Sequence, residues 1–199
     1  MLLSALLLLP LLGHAKPVEK RACAVEYPTY TTTISSLTPD FNSNPIGNNP
    51  ASFAVKNQTF NAIDTIFQFN IPPGSWGCQL ELFFDKDYYL VLPYFNGPMK
   101  ADVFNVEGSA PYTVTWNSAP RTGSLFGTTG ELPRVPDPSA SIGYKEPVKR
   151  VINSAACRNT MTYRMKVPAE VGVGGVQFYQ YNPPLYNPPF GGWRMVHNC

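Results

Sequence analysis

Apolar and polar residues alternate along much of the chain, as they do in half-buried β-strands. In MTYRMKV, residues 161–167, every second side chain is apolar and those between are polar. The same alternation occurs in CQLELFF, residues 78–84, and in YTVTW, residues 112–116. Helical periodicity is hard to find, so the pattern predicts about nine short strands. The remaining predicted strands are residues 29–34, 63–71, 88–92, 101–106, 175–181 and 193–196.

Short strands separated by Pro, Gly and Asn predict an all-β fold, a single antiparallel β-sandwich of two layers, jelly-roll or immunoglobulin-like. The 21 prolines favour this interpretation, because proline is excluded from helix interiors and central strands and collects in loops and at edges. The stretch from residue 119 to 147 is poor in periodic apolar residues, and we interpret it as loops within one domain.

The N-terminal residues predict export. The opening MLLSALLLLPLLGHA has an apolar run followed by small residues, the pattern of a signal peptide cleaved after Ala15. The next residues, KPVEKR, end in Lys20 and Arg21, which we interpret as a propeptide processing site; the alternative is two solvated charges. The predicted organisation is therefore a signal peptide (1–15), a propeptide (16–21) and a β-sandwich domain (22–199).

Charge and hydropathy narrow the classes of partner. The chain has a formal net charge of +2, which falls to zero when residues 1–21 are removed. A neutral surface gives no clustered basic field to attract nucleic acid or an anionic membrane. No segment after the signal approaches the roughly 20 apolar residues of a membrane span. We therefore expect a secreted protein, extracellular or in the cell wall, that binds no nucleic acid and no membrane.

Four cysteines in an exported chain favour two disulfides, although the sequence alone allows three pairings. We favour Cys23 with Cys199, which ties the two ends together, and Cys78 with Cys157, which joins the starts of two strands. The cysteines have no metal-ligand spacing, and nothing in the sequence calls for a metal or another cofactor.

The order of several segments resembles the fungal secreted "But" family, the C-terminal domain of a protein named for binding in a ubiquitin-like (ubiquitin 3) pathway. The segments are YPTY, Phe-x-Ile-Pro before Cys-x-Leu-x-Leu, WNSAP followed by SLFG, a Cys before an alternating strand, and QYNP near the terminal Cys. The resemblance implies an all-β exported domain without an agreed molecular activity, often treated as associated with the cell wall. An export signal argues against a cytosolic partner, and FFDKDYYLVLPY departs from the family's pattern.

Few residues are candidates for catalysis. After processing, His197 is the single imidazole, no nucleophile or zinc motif occurs, and the cysteines are assigned to disulfides. Asp85 and Asp87 lie on one side of an extended segment, roughly 7 Å apart, near the spacing of an inverting glycosidase pair. We favour the alternative that Asp-Lys-Asp forms a solvated turn, and we expect that the protein is not an enzyme.

Aromatic residues near the C-terminus are candidates for ligand binding. Paired prolines in YNPPLYNPP stiffen the backbone, which favours the display of flat aromatic faces for stacking on sugar rings or on a protein. The alternative is that these rings cap a sheet edge or the end of the sandwich. The candidates are Tyr181, Tyr186, Phe190 and Trp193, together with Trp76 in the loop PPGSWGC, whose ring we expect mainly to shield the neighbouring disulfide.

The sequence as a whole favours a non-catalytic extracellular protein that acts by contact with a cell-wall polysaccharide or an extracellular protein. A lectin-like module that uses the C-terminal aromatics is the first alternative, and a glycoside hydrolase that uses Asp85 and Asp87 is the second. Asn57 begins the sequon Asn-Gln-Thr, so in an exported chain we expect it to carry a glycan on a surface loop. The oligomeric state stays open.

Overall fold

The fold is described by a computed structural model that covers residues 22–41, 52–58 and 60–199. The predicted signal peptide and propeptide lie outside the described residues, as does Thr59. The described residues form twelve strands and no helix, so none of them belongs to a helix long and apolar enough to cross a membrane. The strands are β1 Ala24–Glu26, β2 Tyr30–Ser35, β3 Ser52–Asn57, β4 Ile63–Asn70, β5 Cys78–Phe84, β6 Val91–Pro93, β7 Asp102–Val106, β8 Thr122–Thr128, β9 Val148–Ala155, β10 Thr160–Lys166, β11 Gly174–Tyr179 and β12 Gly191–His197.

The strands form two antiparallel sheets that pack face to face. The smaller sheet has the order β1-β12-β5-β9, and the larger has the order β6-β11-β3-β4-β10-β7-β8, with β2 also paired to β4. The predicted antiparallel β-sandwich is therefore confirmed. Both predicted disulfides, Cys23–Cys199 and Cys78–Cys157, are also confirmed.

Alternating side chains from both sheets make the core, as the sequence pattern predicts. In β5, Leu80, Leu82 and Phe84 are fully buried. Trp193 of β12 reaches across the sandwich and stacks on Phe67 of β4, with ring centroids 5.0 Å apart. One aromatic contact therefore joins the middle strands of the two sheets.

The predicted strand at residues 112–116 is wrong. This segment belongs to a loop of residues 107–121 that lies on the outer face of the larger sheet, and we call it the covering loop. It turns because Thr115 and Ser118 exchange hydrogen bonds between side chains and backbone amides, which offer the backbone an alternative to a ladder. Val114 packs on Ile34 and Ile66 in a second small core.

Four strands were not predicted: β1, β3, β8 and β9. In β9 all eight side chains are exposed or half-buried, and most of β8 is similar, so neither strand carries clear alternation. Both lie at sheet edges. They meet where the Asn153 amide nitrogen donates to the Phe126 carbonyl at 2.6 Å, which closes one side of the sandwich.

Candidate functional site

The C-terminal aromatic residues do not form a common exposed surface. Trp193 is completely buried, so its proposed role in ligand binding is wrong: the alternation of β12 turns its ring inward. Tyr181 and Tyr186 are half-buried and pack on one another, with ring centroids 4.4 Å apart. The pocket that Tyr181 and Phe190 line has a volume of only about 80 Å³, far below the roughly 300 Å³ at which ligand sites begin.

Asp85 and Asp87 lie in a turn directly after β5. The Asp85 carboxylate accepts a 2.8 Å hydrogen bond from the backbone amide of Phe190. Asp87 lies in a turn with a φ of 67°, a left-handed conformation that Asp tolerates. After β5 the chain crosses to the other sheet, so FFDKDYYLVLPY contains no hairpin. The interpretation of Asp-Lys-Asp as a turn is confirmed.

Trp76 closes a turn through its backbone, whereas its ring faces solvent. The Trp76 amide donates to the Asn198 side chain, and the Asn198 amide donates to the Trp76 carbonyl, both at 2.9 Å. The residue is 53% exposed, so its ring is largely open to solvent, and its shielding of the neighbouring disulfide stays a prediction. The backbone of Trp76 is held beside the C-terminus while the ring stays accessible.

The other two candidate positions are partly enclosed. Asn57 is half-buried at the end of β3, and its amide nitrogen donates to the Val171 carbonyl at 3.1 Å. His197 is 1% exposed, and neither ring nitrogen has a hydrogen-bond partner among the described residues. Glu26 is its nearest acidic group, at 3.5 Å from Nε2. A general base needs access to a substrate proton, and His197 lacks it.

Strand register brings a different set of residues together on the outer face of the larger sheet. In β7 and β10, Asp102 lies opposite Lys166, and Phe104 lies opposite Arg164. Residues directly opposite in antiparallel strands point to the same face. Met165 pairs with Thr65, so the next position places Asp64 beside Lys166. Three adjacent strands therefore present a row of alternating charge next to an aromatic ring.

The covering loop adds a second ring and turns this face into a groove. Arg164 lies against the Trp116 indole, 5.5 Å from the ring centroid, and donates to the Pro120 carbonyl at 3.4 Å. The groove has a volume of about 390 Å³, which lies within the range of small-ligand sites. We call it the Trp116 groove, and the residues used below are Asn57, Asp64, Asp102, Phe104, Trp116 and Lys166.

Asp64 lines the Trp116 groove and pairs with Arg164. Arg164 contacts one oxygen of Asp64 through Nε at 2.8 Å and Nη2 at 2.6 Å, and both side chains are at least nine-tenths buried. Burial raises the pKa of Asp64, whereas Arg164 and Lys166 act in the opposite direction. Because the guanidinium engages the carboxylate directly, Asp64 positions Arg164 beneath Trp116 and is not a free general acid.

The upper part of the groove combines half-buried rings with hydrogen-bonding groups. Trp116 and Phe104 are half-buried, and the Lys166 ammonium lies 6.0 Å from the Phe104 centroid. Carboxylates accept and ammonium groups donate hydrogen bonds, so Asp102 and Lys166 offer both functions beside the rings. Flat apolar area with adjacent donors and acceptors suits a sugar, which has an apolar face and a rim of hydroxyl groups.

Sequence reasoning missed the Trp116 groove. Asp64, Asp102 and Lys166 sit at polar positions of three strands and are 38 or more residues apart in sequence, and each alone is typical of a solvated face. Trp116 was assigned to a strand. The alternation itself held a signal. Asp64 and Ile66 lie on the same outward face of one strand, and Ile66 is apolar, so another part of the chain must cover it.

The family of the chain is shown by its sequence. No curated protein matches the chain. The family described as "Ubiquitin 3 binding protein But2 C-terminal domain" matches residues 26–184, which include the described residues of β2 to β11 and the whole covering loop. The match ends before β12 and the buried Trp193. The chain therefore belongs to the But2 C-terminal domain family, as the resemblance of its segments indicated.

Proposed function

We propose that this protein is an exported, non-catalytic binding module that holds a polysaccharide chain in the Trp116 groove. The observation that carries the proposal is the pairing of two half-buried rings, Phe104 and Trp116, with the charged row of Asp102 and Lys166 in one groove. The protein then acts by surface contact, and the contact surface is this groove instead of the C-terminal aromatics. A cell-wall polymer is the proposed ligand.

Export is supported by the predicted signal peptide and by two disulfides, which persist in oxidising compartments. A neutral mature chain also fits a partner without high charge, which excludes nucleic acid and anionic membrane from the proposal. N-terminal sequencing of the secreted protein checks the processing, and we expect Ala22 as the first residue. A first residue at Lys16 would contradict cleavage at the dibasic site.

We propose that the protein is not catalytic because its candidate acid and base groups are either bound to other groups of the protein or enclosed. Asp64 is engaged by Arg164, Asp85 is engaged by the Phe190 amide, and His197 is enclosed. Glycoside hydrolysis needs one protonated and one ionised carboxyl group on either side of the bond. Incubation with each polysaccharide should release no reducing ends, and release that disappears in Asp102→Asn would overturn this part of the proposal.

The binding proposal is tested with soluble oligosaccharides of chitin, β-glucan and mannan by isothermal titration calorimetry. We expect one of them to bind, and Trp116→Ala to weaken its binding about fivefold or more, because a stacked ring contributes about 1 kcal/mol or more. Tyr112→Ala is the matched control: Tyr112 is also in the covering loop, is 79% exposed and lies outside the groove. Its binding should be unchanged.

Two further variants separate a loss of binding from a loss of folding and from an effect of the glycan predicted at Asn57. Asp102→Asn retains shape and should weaken binding while the unfolding midpoint stays within error. Thr59→Ala removes the sequon without changing Asn57, which lines the groove, and should bind at least as well as the wild type. The proposal fails if no polymer binds the wild type or Thr59→Ala, or if Trp116→Ala and Tyr112→Ala bind alike.

A further inference from the structure

A second cavity lies between the two sheets, at the opposite end of β7 and β10 from the Trp116 groove. It has a volume of about 320 Å³, and we call it the inter-sheet pocket. Apolar side chains from β8 and β10 line one part of it, and polar or charged side chains line the other. The residues that matter for its chemistry are Glu107, Ser124, Phe126, Arg158, Met161 and Tyr163.

The Tyr163 hydroxyl is the unusual group in this pocket. Tyr163 is 1% exposed, and its hydroxyl has no hydrogen-bond partner among the described residues. The other two deeply buried tyrosines are satisfied: Tyr88 donates to the Tyr179 carbonyl and Tyr144 donates to the Pro133 carbonyl. Buried hydroxyl groups nearly always have partners, so an unpartnered hydroxyl on a cavity wall is available to donate a hydrogen bond to a bound molecule.

Arg158 supplies a positive charge at the mouth of the same pocket. Arg158 and Tyr163 line the same pocket. Burial raises the pKa of Tyr163, and the charge of Arg158 acts in the opposite direction. Within residues 22–41, 52–58 and 60–199, Arg158 forms no ion pair, and Glu107 on the pocket wall is not paired with it. The hydroxyl stays neutral and donates, and the guanidinium is free to bind an anion.

We propose that the inter-sheet pocket binds a small organic carboxylate with an apolar body. The carboxylate lies between the Tyr163 hydroxyl and the Arg158 guanidinium, where both donate to its oxygens. The apolar body packs on Phe126 and Met161. Glu107 repels a second negative charge, so the site prefers a single carboxylate to a polyanion. This site is separate from the polysaccharide groove and does not depend on it.

The experiment measures binding of 2-naphthoate and of its neutral counterpart, 2-naphthamide, to the secreted protein by isothermal titration calorimetry. We expect the carboxylate to bind about tenfold or more tightly than the amide. Tyr163→Phe and Arg158→Gln should each weaken naphthoate binding about tenfold, and Arg158→Gln should also abolish the preference for the carboxylate. Trp116→Ala should leave naphthoate binding unchanged, which separates this site from the groove.

Tyr144→Phe is the matched control, because it also removes a buried tyrosine hydroxyl but lies outside the pocket. It should bind naphthoate normally and unfold at a lower urea concentration, since it loses its bond to Pro133. Tyr163→Phe should unfold at the same or a higher concentration, since its hydroxyl has no protein partner. The proposal is overturned if naphthoate does not bind, if the amide binds equally, or if Tyr163→Phe binds like the wild type.

Discussion

One buried carboxylate in this protein is held by several partners at once. Glu81 in β5 has a side chain that is 0% exposed, although its position in the alternation is polar. One oxygen accepts from Gln79 at 2.6 Å and from Lys149 at 2.7 Å, and the other accepts from two nitrogens of Arg194, each at 2.8 Å. Arg194 in turn stacks on Phe83, 4.0 Å from the ring centroid. These contacts join β9, β5 and β12.

Replacing Glu81 with Gln should lower the free energy of unfolding by about 2 to 3 kcal/mol at pH 7, because Arg194 and Lys149 lose their common charge partner. Burial by itself raises the pKa of Glu81, but hydrogen bonds from Lys149, Arg194 and Gln79 outweigh it, so the pKa lies below its ordinary value. The stability from the ionised form is complete above the unfolded pKa of about 4.3 and is lost as pH falls through the lower folded pKa.

Urea unfolding at a series of pH values checks this prediction. The stability difference between wild type and Glu81→Gln should be largest at neutral pH and should shrink below about pH 4. Glu146→Gln is the control, since Glu146 is exposed and forms no ion pair with any described residue. A difference that does not change with pH would contradict the assigned role of the carboxylate.

At the scale of elements, the two sheets come into backbone contact where β8 meets β9. A Cβ added to Gly127 of β8 would lie 2.5 Å from the Ile152 carbonyl oxygen of β9. That contact is backbone, so it cannot be relieved by rotating a side chain. Glycine at this position therefore permits the hydrogen bond between Asn153 and Phe126 and the closure of the sandwich at this edge.

Gly127→Ala should lower the free energy of unfolding by about 1 to 3 kcal/mol, because the added methyl group separates β8 from β9 or distorts one of them. Gly123→Ala is the matched control in the same strand, where the nearest atom, the Asn105 carbonyl oxygen, would lie 3.3 Å away. It should cost clearly less. Equal denaturation midpoints for the two variants would show that the close approach is not maintained in solution.

At the scale of the whole molecule, the first and last strands of the sandwich are held together in two ways. Cys23 and Cys199 are linked across a sequence separation of 176 residues, and β1 pairs with β12 through Ala24 opposite His197. β12 in turn lies between β1 and β5 in the smaller sheet. The disulfide therefore holds a three-residue edge strand that has few other contacts. This disulfide lies at the smaller sheet, which does not carry the Trp116 groove.

Removing this disulfide with Cys23→Ser and Cys199→Ser should lower the free energy of unfolding by about 2 to 5 kcal/mol, because a long loop in the unfolded chain is no longer closed. Polysaccharide binding should be retained under conditions where the variant stays folded. Removing Cys78 and Cys157 instead should cost more, since Cys78 is also fully buried in the core. A change in groove affinity in the first variant would contradict the separation of the two sheets' roles.

The sequence predicted most of the buried strands and fewer of the exposed ones. Cys78–Phe84 was predicted with its observed bounds, and β4, β7, β10 and β11 were predicted to within two residues, because burial on one face imposes strict alternation. At β9 neither face is buried enough to impose a pattern. The segment at residues 112–116 alternates because Val114 packs on the outer face of a sheet, which produces the same spacing as a strand.

The sequence by itself determined which residues must leave water and favoured two disulfides: alternation with abundant proline indicated an antiparallel sandwich, and four cysteines after a predicted signal peptide indicated two bridges. The structure decided which of the three possible pairings forms. Only the tertiary structure decided the sites. Strand register placed Asp64, Lys166 and Asp102 in one row, and packing buried Trp193 while leaving Trp116 at the edge of a groove. Alternation specifies the face on which a side chain lies, but pairing across distant strands specifies its neighbours, and neighbours make a site.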